Sequence, residues 1–152
     1  MKPVVVEEEI ERPAEVVWEY MENAEHNPEW LSNMRSARWT TDSPIAVGSR
    51  YEQMARFLGK DVRTSFEVTA LEPGRAITIS SLPGSSFPIR ITREVQPLGP
   101  QRTRVREIAE GDSSGFYRVA EPLMRPIVRR NIAGAYRRLK QLLEADARHA
   151  DG

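Results

Sequence analysis

Two glutamates on predicted strands are the residues of this chain best suited to proton chemistry. Glu8 alternates with Val6 and Ile10, so the three side chains share one face of a strand. Glu107 has the same phase as Val105 on a later strand. If these faces look inward, burial without a partner raises the pKa of a carboxyl group and suits it to general acid–base catalysis. Glu8 and Glu107 are therefore the candidate catalytic residues.

Each glutamate also has a structural interpretation, and the sequence leaves both open. Glu8 lies in a glutamate-rich strand, which is typical of a solvated edge or of a carboxylate paired with an arginine. Glu107 is placed equally well for a structural ion pair with Arg63 or Arg90. We favour the ion pair over catalysis for Glu107.

A second group of residues is suited to contacting a small apolar ligand. Tyr51 and Gln53 share a strand face, where a hydroxyl and an amide would orient a polar ligand atom. Asn131 interrupts an apolar helix face, where it meets either a ligand or the sheet backbone. The other candidates line a pocket or fill the core, and they are Trp30, Phe66, Phe87, Ile89, Ile91, Phe116, Ala120, Leu123 and Ile127.

The sequence contains no pattern typical of a metal site or of an activated nucleophile. Cysteine is absent, and the two histidines, His26 and His149, lie far apart. A zinc site needs three or four nitrogen, sulfur or carboxylate ligands. The turn at residues 83–86 lacks the lysine of a phosphate-binding loop. We therefore expect no metal and no cofactor.

The elements that must position these residues alternate short strands with turns. A strand at 4–11 is followed by short helices at 14–22 and 23–31, the second broken near Pro28. Six more strand signals follow, separated by turns rich in glycine and proline that favour hairpins. These strands are predicted at 34–41, 49–58, 61–71, 75–82, 87–96 and 102–111. The sequence therefore predicts an α+β fold with a seven-stranded antiparallel sheet.

A long amphipathic helix is predicted at the end of the chain, over residues 114–147. Its apolar side must pack on the sheet, and the gap between them is the natural place for a ligand. Pro122 and Pro126 predict either a kink or a late start near Glu121. The predicted inward stripe is Phe116, Ala120, Leu123, Ile127, Asn131, Ala135, Leu139 and Leu142.

The length of the chain fits a single domain, and its positive and negative charges are balanced. The 152 residues carry 22 Lys and Arg against 22 Asp and Glu, so net charge points to no particular partner. We expect one domain over residues 1–147 and a frayed tail over 148–152. The start lacks the apolar core of a signal peptide, and no apolar run is long enough to span a membrane, so we expect a cytoplasmic protein.

The order of these elements resembles the helix-grip fold of the START-like, Bet v 1-like superfamily (SRPBCC), and within it the polyketide cyclase/dehydrase-like group. In that fold a curved seven-stranded sheet wraps around the long C-terminal helix. The resemblance spans nearly the whole chain. It is carried by Ile10, Pro13 and Val16-Val17-Trp18, by Trp30, by Val47-Gly48-Ser49, by Val68-Thr69 with Glu72-Pro73, by Thr103-Arg104-Val105, and by Leu139-Lys140 with Leu142-Leu143-Glu144.

The resemblance implies a cavity for a hydrophobic small molecule and leaves three functions open. The first, which we favour, is binding or carriage of a lipid, polyketide or aromatic metabolite. The second is an aromatase/cyclase or dehydratase that uses the two glutamates; the superfamily has no shared catalytic motif, so we lean against an enzyme. The third is an interaction module like the ribosome-directed toxins of the superfamily, using basic residues of the last helix.

The basic face of the last helix is better explained as a solvated surface than as a nucleic-acid or ribosome contact. Arginine is spread through the whole chain, which weakens the case for a dedicated basic patch. We therefore expect a small hydrophobic molecule as the partner, with no integral membrane segment. The sequence leaves a homodimer open.

Overall fold

The computed structural model describes the backbone of residues 3–57, 59–84, 88–111 and 115–150, and the side chains of these residues except 57, 115–124 and 148–150. The elements follow in the order β1 (Val4–Ile10), α1 (Ala14–Glu22), a 3₁₀ turn (Ala24–His26), α2 (Asn27–Trp30), β2 (Met34–Trp39), β3 (Arg50–Phe57), β4 (Lys60–Glu72), β5 (Ala76–Ser81), β6 (Ile89–Gly99), β7 (Arg102–Gly111) and α3 (Gly115–Ala150).

One curled antiparallel sheet contains all seven strands, in the order β1-β7-β6-β5-β4-β3-β2. Tight turns produce this meander. Between β4 and β5, for example, Gly74 has a φ of +81°, and the N–H of Arg75 donates to the carbonyl of Glu72 at 2.9 Å. Pro73 before a glycine with positive φ is the pattern of a type II turn. The predicted helix-grip α+β fold is confirmed.

The concave face of the sheet carries the core, because strand side chains alternate between the two faces. On β7, Thr103, Val105 and Glu107 are buried on the inner face, whereas Arg104 and Arg106 between them are not. The same alternation on β5 buries Ile77 and Ile79. Because of this alternation, the side chain of one charged residue of β7, Glu107, points into the core.

The convex face is held by cross-strand ion pairs. Glu7 and Glu9 of β1 lie opposite Arg106 and Arg104 of β7, and their charged groups approach within 3.6 and 3.5 Å. Glu9 also pairs with Arg102. Opposite charges facing each other support the register, since a one-residue slip would place every side chain on the wrong face.

Helix α1 packs its apolar side on the sheet. Pro13 precedes the helix with a φ of −58°, and proline at this point costs no helical hydrogen bond. Val17, Trp18 and Met21 are buried at helical spacing. The predicted bounds of this helix, 14–22, are those observed.

Helix α3 buries a stripe that differs from the predicted one. Ala135 and Leu139 are buried as predicted, but Ile127 is 67% exposed and Asn131 is also exposed. The predicted burial of Ile127 and Asn131 is wrong because each step of four residues overshoots one helical turn by about 40°. Asn131 is therefore turned about 40° away from Ala135, and Ile127 about 80°. Val128, seven residues before Ala135, stays within about 20° of it and packs on the core.

The C-terminal half of α3 is fixed to β1 by polar contacts. The Nζ of Lys140 donates to the carbonyl of Glu9 at 2.8 Å and to Glu144 Oε2 at 2.9 Å. The same Glu144 oxygen accepts the N–H of Glu11 at 2.9 Å, and Arg12 donates to the carbonyl of Leu143 at 3.1 Å. These bonds hold this part of the helix against the first strand and its exit corner.

Two predictions about the ends of α3 differ from the structure. The helix begins at Gly115 and continues through Pro122 and Pro126, so the predicted late start near Glu121 is wrong. At the other end the helix reaches Ala150, three residues past the predicted boundary at 147.

Candidate functional site

A buried ion pair occupies the concave face beneath α3. Arg93 of β6 and Glu107 of β7 are directly opposite in the antiparallel register, and both point inward. Arg93 Nε donates to Glu107 Oε1 at 3.1 Å. The two residues are 6% and 4% exposed, so this pair is removed from water.

Helix α3 completes the environment of the carboxylate. The hydroxyl of Tyr136 donates to the same oxygen, Glu107 Oε1, at 3.0 Å. A buried carboxylate needs such donors, because burial of an unpaired charge is costly. Arg93, Glu107 and Tyr136 thus form one hydrogen-bonded triad that joins two strands to the helix.

Aromatic rings surround the triad. Trp30 of α2 contacts Tyr136 edge to face, with ring centroids 5.2 Å apart, and the guanidinium carbon of Arg93 lies 5.0 Å from the centroid of Trp30. That position is typical of a cation–π contact. Tyr51 is stacked on Phe66 with centroids 5.3 Å apart. We call Arg93, Glu107, Tyr136, Trp30 and Tyr51 the floor cluster.

The floor cluster keeps its donors protonated. Burial raises the pKa of Tyr136 well above its ordinary value, and neighbouring Glu107 raises it further. Burial also raises the pKa of Tyr51. For Arg93, burial alone would lower the pKa, but Glu107 and the two tyrosines outweigh it and the pKa is raised. Both phenols and the guanidinium therefore stay protonated at neutral pH.

Two buried polar atoms of α2 have no hydrogen-bond partner in the described part of the chain. They are the Nε1 of Trp30 and the Oδ1 of Asn27, and both residues are fully buried. Buried polar atoms in native proteins are nearly always paired with protein or water. These unpaired atoms, of which Trp30 Nε1 belongs to the ring that contacts Arg93, are a feature that a ligand or an ordered water would explain.

A small hollow lies beside Arg93, and we call it the Arg93 hollow. It offers about 10 Å³ to the centre of a water-sized sphere, which is room for roughly one water molecule. Its walls come from the sheet and from the segment around α1, and they are Met21, Glu22, Ala24, Trp39, Tyr51, Ile77, Ile79 and Arg93. Burial raises the pKa of the Glu22 carboxyl group.

Burial on the concave face falls off on one side of the floor cluster. Along β6, Val95 and Arg93 are buried, but Ile91 and Ile89 on the same face are only partly buried. On β3, Tyr51 is buried and Gln53 on the same face is partly buried. The described side chains therefore fill the concave face at one end and leave it partly uncovered at the other.

Several ligand-binding candidates from the sequence converge on this face. Trp30, Tyr51 and Phe66 belong to or contact the floor cluster, and Gln53, Ile89 and Ile91 lie on the partly uncovered end. Ile127 and Asn131 are on the exposed side of α3. Phe87 lies outside the described residues, and so do the side chains of Phe116, Ala120 and Leu123.

The two glutamates proposed for catalysis have different surroundings. Glu107 is paired, but with Arg93: Arg90 instead binds Glu110 at 2.7 Å on the outer face, and Arg63 lies near Glu52. Glu8 is partly buried on β1, opposite Val105. Its Oε1 accepts the N–H of Glu9 at 3.1 Å.

Three residues of this site were missed by sequence reasoning. The inward position of Arg93 could have been predicted, because Arg93 continues the alternation of Ile89, Ile91 and Val95. This alternation places a charged residue on an otherwise apolar strand face. Tyr136 lies one residue from the predicted helix stripe. Asn27 had no signal, since its burial depends on how α2 packs.

Neither a metal centre nor a membrane-spanning helix is found in the described parts of the chain. No group of three or more His, Asp or Glu in those ranges is arranged to hold a metal ion. None of the described helices is long and apolar enough to cross a membrane.

One protein-family model matches almost the whole chain. The model of the family described as "Polyketide cyclase / dehydrase and lipid transport" matches residues 1–144. No curated protein is similar enough in sequence to match the chain.

Solved structures share the fold at low sequence identity. The Zhui aromatase/cyclase of Streptomyces sp. R1128 has a TM-score of 0.79 at 15% identity, covering 99% of this chain and 98% of that one. The protein TTHA0849 of Thermus thermophilus has a TM-score of 0.75 at 21% identity, covering 95% and 98%. A START superfamily protein of Mycobacterium smegmatis has a TM-score of 0.72 at 16% identity, covering 99% of each chain.

Proposed function

Because the chain belongs to the polyketide cyclase/dehydrase and lipid transport family, we propose that it binds a small hydrophobic molecule between the concave face of the sheet and α3. The lipid, polyketide or aromatic metabolite expected from the sequence fits this proposal. The observation that carries it is the change in burial along β6, from buried Arg93 to partly buried Ile91 and Ile89. Apolar side chains on an inner sheet face that pack on the core but are only partly buried are typical of the lining of a ligand space.

Binding is favoured over catalysis by the state of the floor cluster. Glu107 is held by two donors, Arg93 and Tyr136. Its Oε1 is thus engaged as a hydrogen-bond acceptor and holds both side chains in place. The raised pKa values of Tyr51 and Tyr136 keep both phenols neutral. The described part of the cluster thus supplies donors that orient a ligand rather than a base.

A cyclase-type activity is the second candidate, and one observation favours it. The guanidinium of Arg93 is a fixed cation in a dry site, and such a group stabilises negative charge that develops on a carbonyl oxygen. Aromatase/cyclases are also among the proteins that share the fold. In this case Glu8, the less constrained carboxylate, would move the proton, and Glu8→Gln would abolish turnover without weakening ligand binding.

Native mass spectrometry of the gently purified protein, with extraction of any bound molecule, tests the main proposal. A sharper test uses a substitution that places a large side chain in the proposed ligand space. Gln53→Trp places a bulky ring on the inner face of β3, and Met54→Trp places the same ring on the outer face. We expect the first variant to lose ligand binding and the second to keep it. Equal binding by both variants would contradict the proposal.

A further inference from the structure

We infer that two copies of this chain associate through their helices, with the outer side of α3 of one copy on the outer side of α1 of the other. Residues 125–143 of α3 contain five Arg and one Lys but no Asp or Glu. Residues 13–34, which include α1 and α2, contain five Glu but no Lys or Arg. A chain of balanced charge thus carries two helical surfaces of opposite sign.

The exposed charges of these two surfaces are unpaired within the molecule. On the convex face of the sheet, by contrast, arginines and glutamates pair across neighbouring strands. Exposed charged residues that form no ion pair with another described residue include Glu15 and Glu19 of α1 and Arg130 and Arg138 of α3. Glu15 and Glu19 are four residues apart, and like charges at this spacing destabilise a helix. An oppositely charged partner would relieve that repulsion.

The outer side of α3 also leaves room for a close neighbour. Arg130, Gly134 and Arg138 follow one another in steps of four residues, so they lie within about 80° of each other around the helix. A glycine inside a helix is less favourable than alanine. The chain itself does not require Gly134, because a Cβ at this position would meet no atom within 4 Å. A partner's helix can approach the backbone at such a residue.

The two surfaces adjoin, which permits a closed pair of copies. We call Glu15 and Glu19 the Glu15 face, and Arg130, Gly134 and Arg138 the Arg130 face. The acidic segment reaches α3 through α2, whose Trp30 contacts Tyr136 with ring centroids 5.2 Å apart. One two-fold axis between the faces can therefore place each Glu15 face on the Arg130 face of the other copy, and such a contact closes at two copies.

A second copy fits the Arg130 face better than an anionic membrane or a nucleic acid. Either of those partners carries negative charge over a wide area, and the adjoining glutamates of residues 13–34 would repel it. A second copy presents negative charge to the arginines and positive charge to the glutamates. This inference goes beyond the proposed function and does not depend on the ligand.

Sedimentation of the full-length wild-type protein at two salt concentrations tests the association. The Debye length falls from about 10 Å at about 0.1 M salt to about 3 Å at about 1 M. We expect a dimer at the lower salt concentration and an association at least about ten-fold weaker at the higher one. A protein that stays monomeric at the lower salt concentration, at up to about 0.1 mM, would overturn the inference.

Charge reversal tests which faces meet. Glu15→Lys with Glu19→Lys, and separately Arg130→Glu with Arg138→Glu, should each weaken the dimer at least about 100-fold, because like charges then face each other. A chain with all four substitutions exchanges the signs of the two faces and keeps the wild-type net charge. It should associate more tightly than either pair variant. Association as weak as that of the pair variants would overturn the inference.

Two further variants separate a specific contact from a general effect of charge. Lys60→Glu with Arg75→Glu changes the net charge as much as the arginine pair variant, but at exposed residues of two hairpins, and it should keep the wild-type dimer. Gly134→Gln has room within the chain and should fold, yet weaken the dimer at least about ten-fold by crowding the contact. A dimer weakened equally by the hairpin pair, or unaffected by Gly134→Gln, would overturn the inference.

The remaining outcome assigns the Arg130 face to another partner. Vesicles of phosphatidylglycerol bound by the wild-type monomer, but not by Arg130→Glu with Arg138→Glu, would indicate a membrane contact and overturn the inference. Thermal melts at high salt establish that each variant is folded. Ligand binding is measured separately, so failure of this inference leaves the proposed function standing.

Discussion

Glu107 Oε1 accepts hydrogen bonds at once from Arg93, on the neighbouring strand, and from Tyr136, on the long helix. The carboxylate therefore joins the sheet to α3, and its partner Arg93 is the last buried inner-face residue of β6 before the partly buried Ile91 and Ile89. This ion pair thus lies next to the proposed ligand space.

Breaking the buried pair should be far more damaging than breaking a surface pair on the same strand. Arg93→Ala leaves Glu107 buried without its counterion, and we expect a loss of about 3–5 kcal/mol in the free energy of unfolding. Arg90→Ala breaks the exposed pair with Glu110 and should cost less than about 1 kcal/mol. Urea unfolding of both variants measures the difference, and equal losses would contradict the buried pair.

Tyr136 should contribute stability that disappears in alkali. Its pKa is raised in the folded protein, so above the ordinary tyrosine pKa of about 10 the unfolded chain releases a proton that the folded chain keeps. The contribution of Tyr136 to the free energy of unfolding is thus fully present below about pH 10. It is lost as the pH rises toward the pKa of Tyr136 in the folded protein.

The variant Tyr136→Phe isolates that contribution. At neutral pH it should cost on the order of 1 kcal/mol, because Glu107 loses one donor. Between about pH 10 and 12 its stability should fall less steeply than that of the wild-type protein. Free energies of unfolding measured across this range check both points, and parallel pH profiles would count against them.

Lys140 should fasten α3 to the first strand. It donates to the carbonyl of Glu9 and to Glu144, and its pKa is raised chiefly by the hydrogen bond to Glu144. Lys140→Met should lower the free energy of unfolding by about 1 kcal/mol. Arg137→Met is the control, since Arg137 is exposed and has no partner among the described residues; an equal effect at the two sites would argue against the Lys140 contacts.

The two sides of α3 should respond differently to truncation. Ile127→Ser changes an exposed side chain and should shift stability by no more than about 0.5 kcal/mol. Leu139→Ala empties a buried position and should cost about 2–5 kcal/mol. Thermal unfolding of the two variants distinguishes them. A large loss at Ile127 would support the inward stripe predicted from the sequence over the one observed.

Strand alternation made the fold and the inner face predictable. The period of two is exact, so Tyr51, Phe66 and Ile91 could be assigned to one face from local sequence. Helix α3 was harder, because steps of three and four residues drift around the helix, and the drift misplaced Ile127 and Asn131. The partner of Glu107 was not predictable, since the pairing of β6 with β7 depends on register and not on spacing along the chain.

One measurement tests the ligand site most directly. Isoleucine methyl groups are labelled, 1-acetylnaphthalene is added, and methyl shifts and contacts between ligand and methyl protons are recorded by NMR. We predict contacts to Ile89 and Ile91 on the inner face, and none to Ile108 on the outer face or to exposed Ile127. Contacts confined to Ile108 or Ile127, or the absence of any contact, would contradict a ligand site between the sheet and α3.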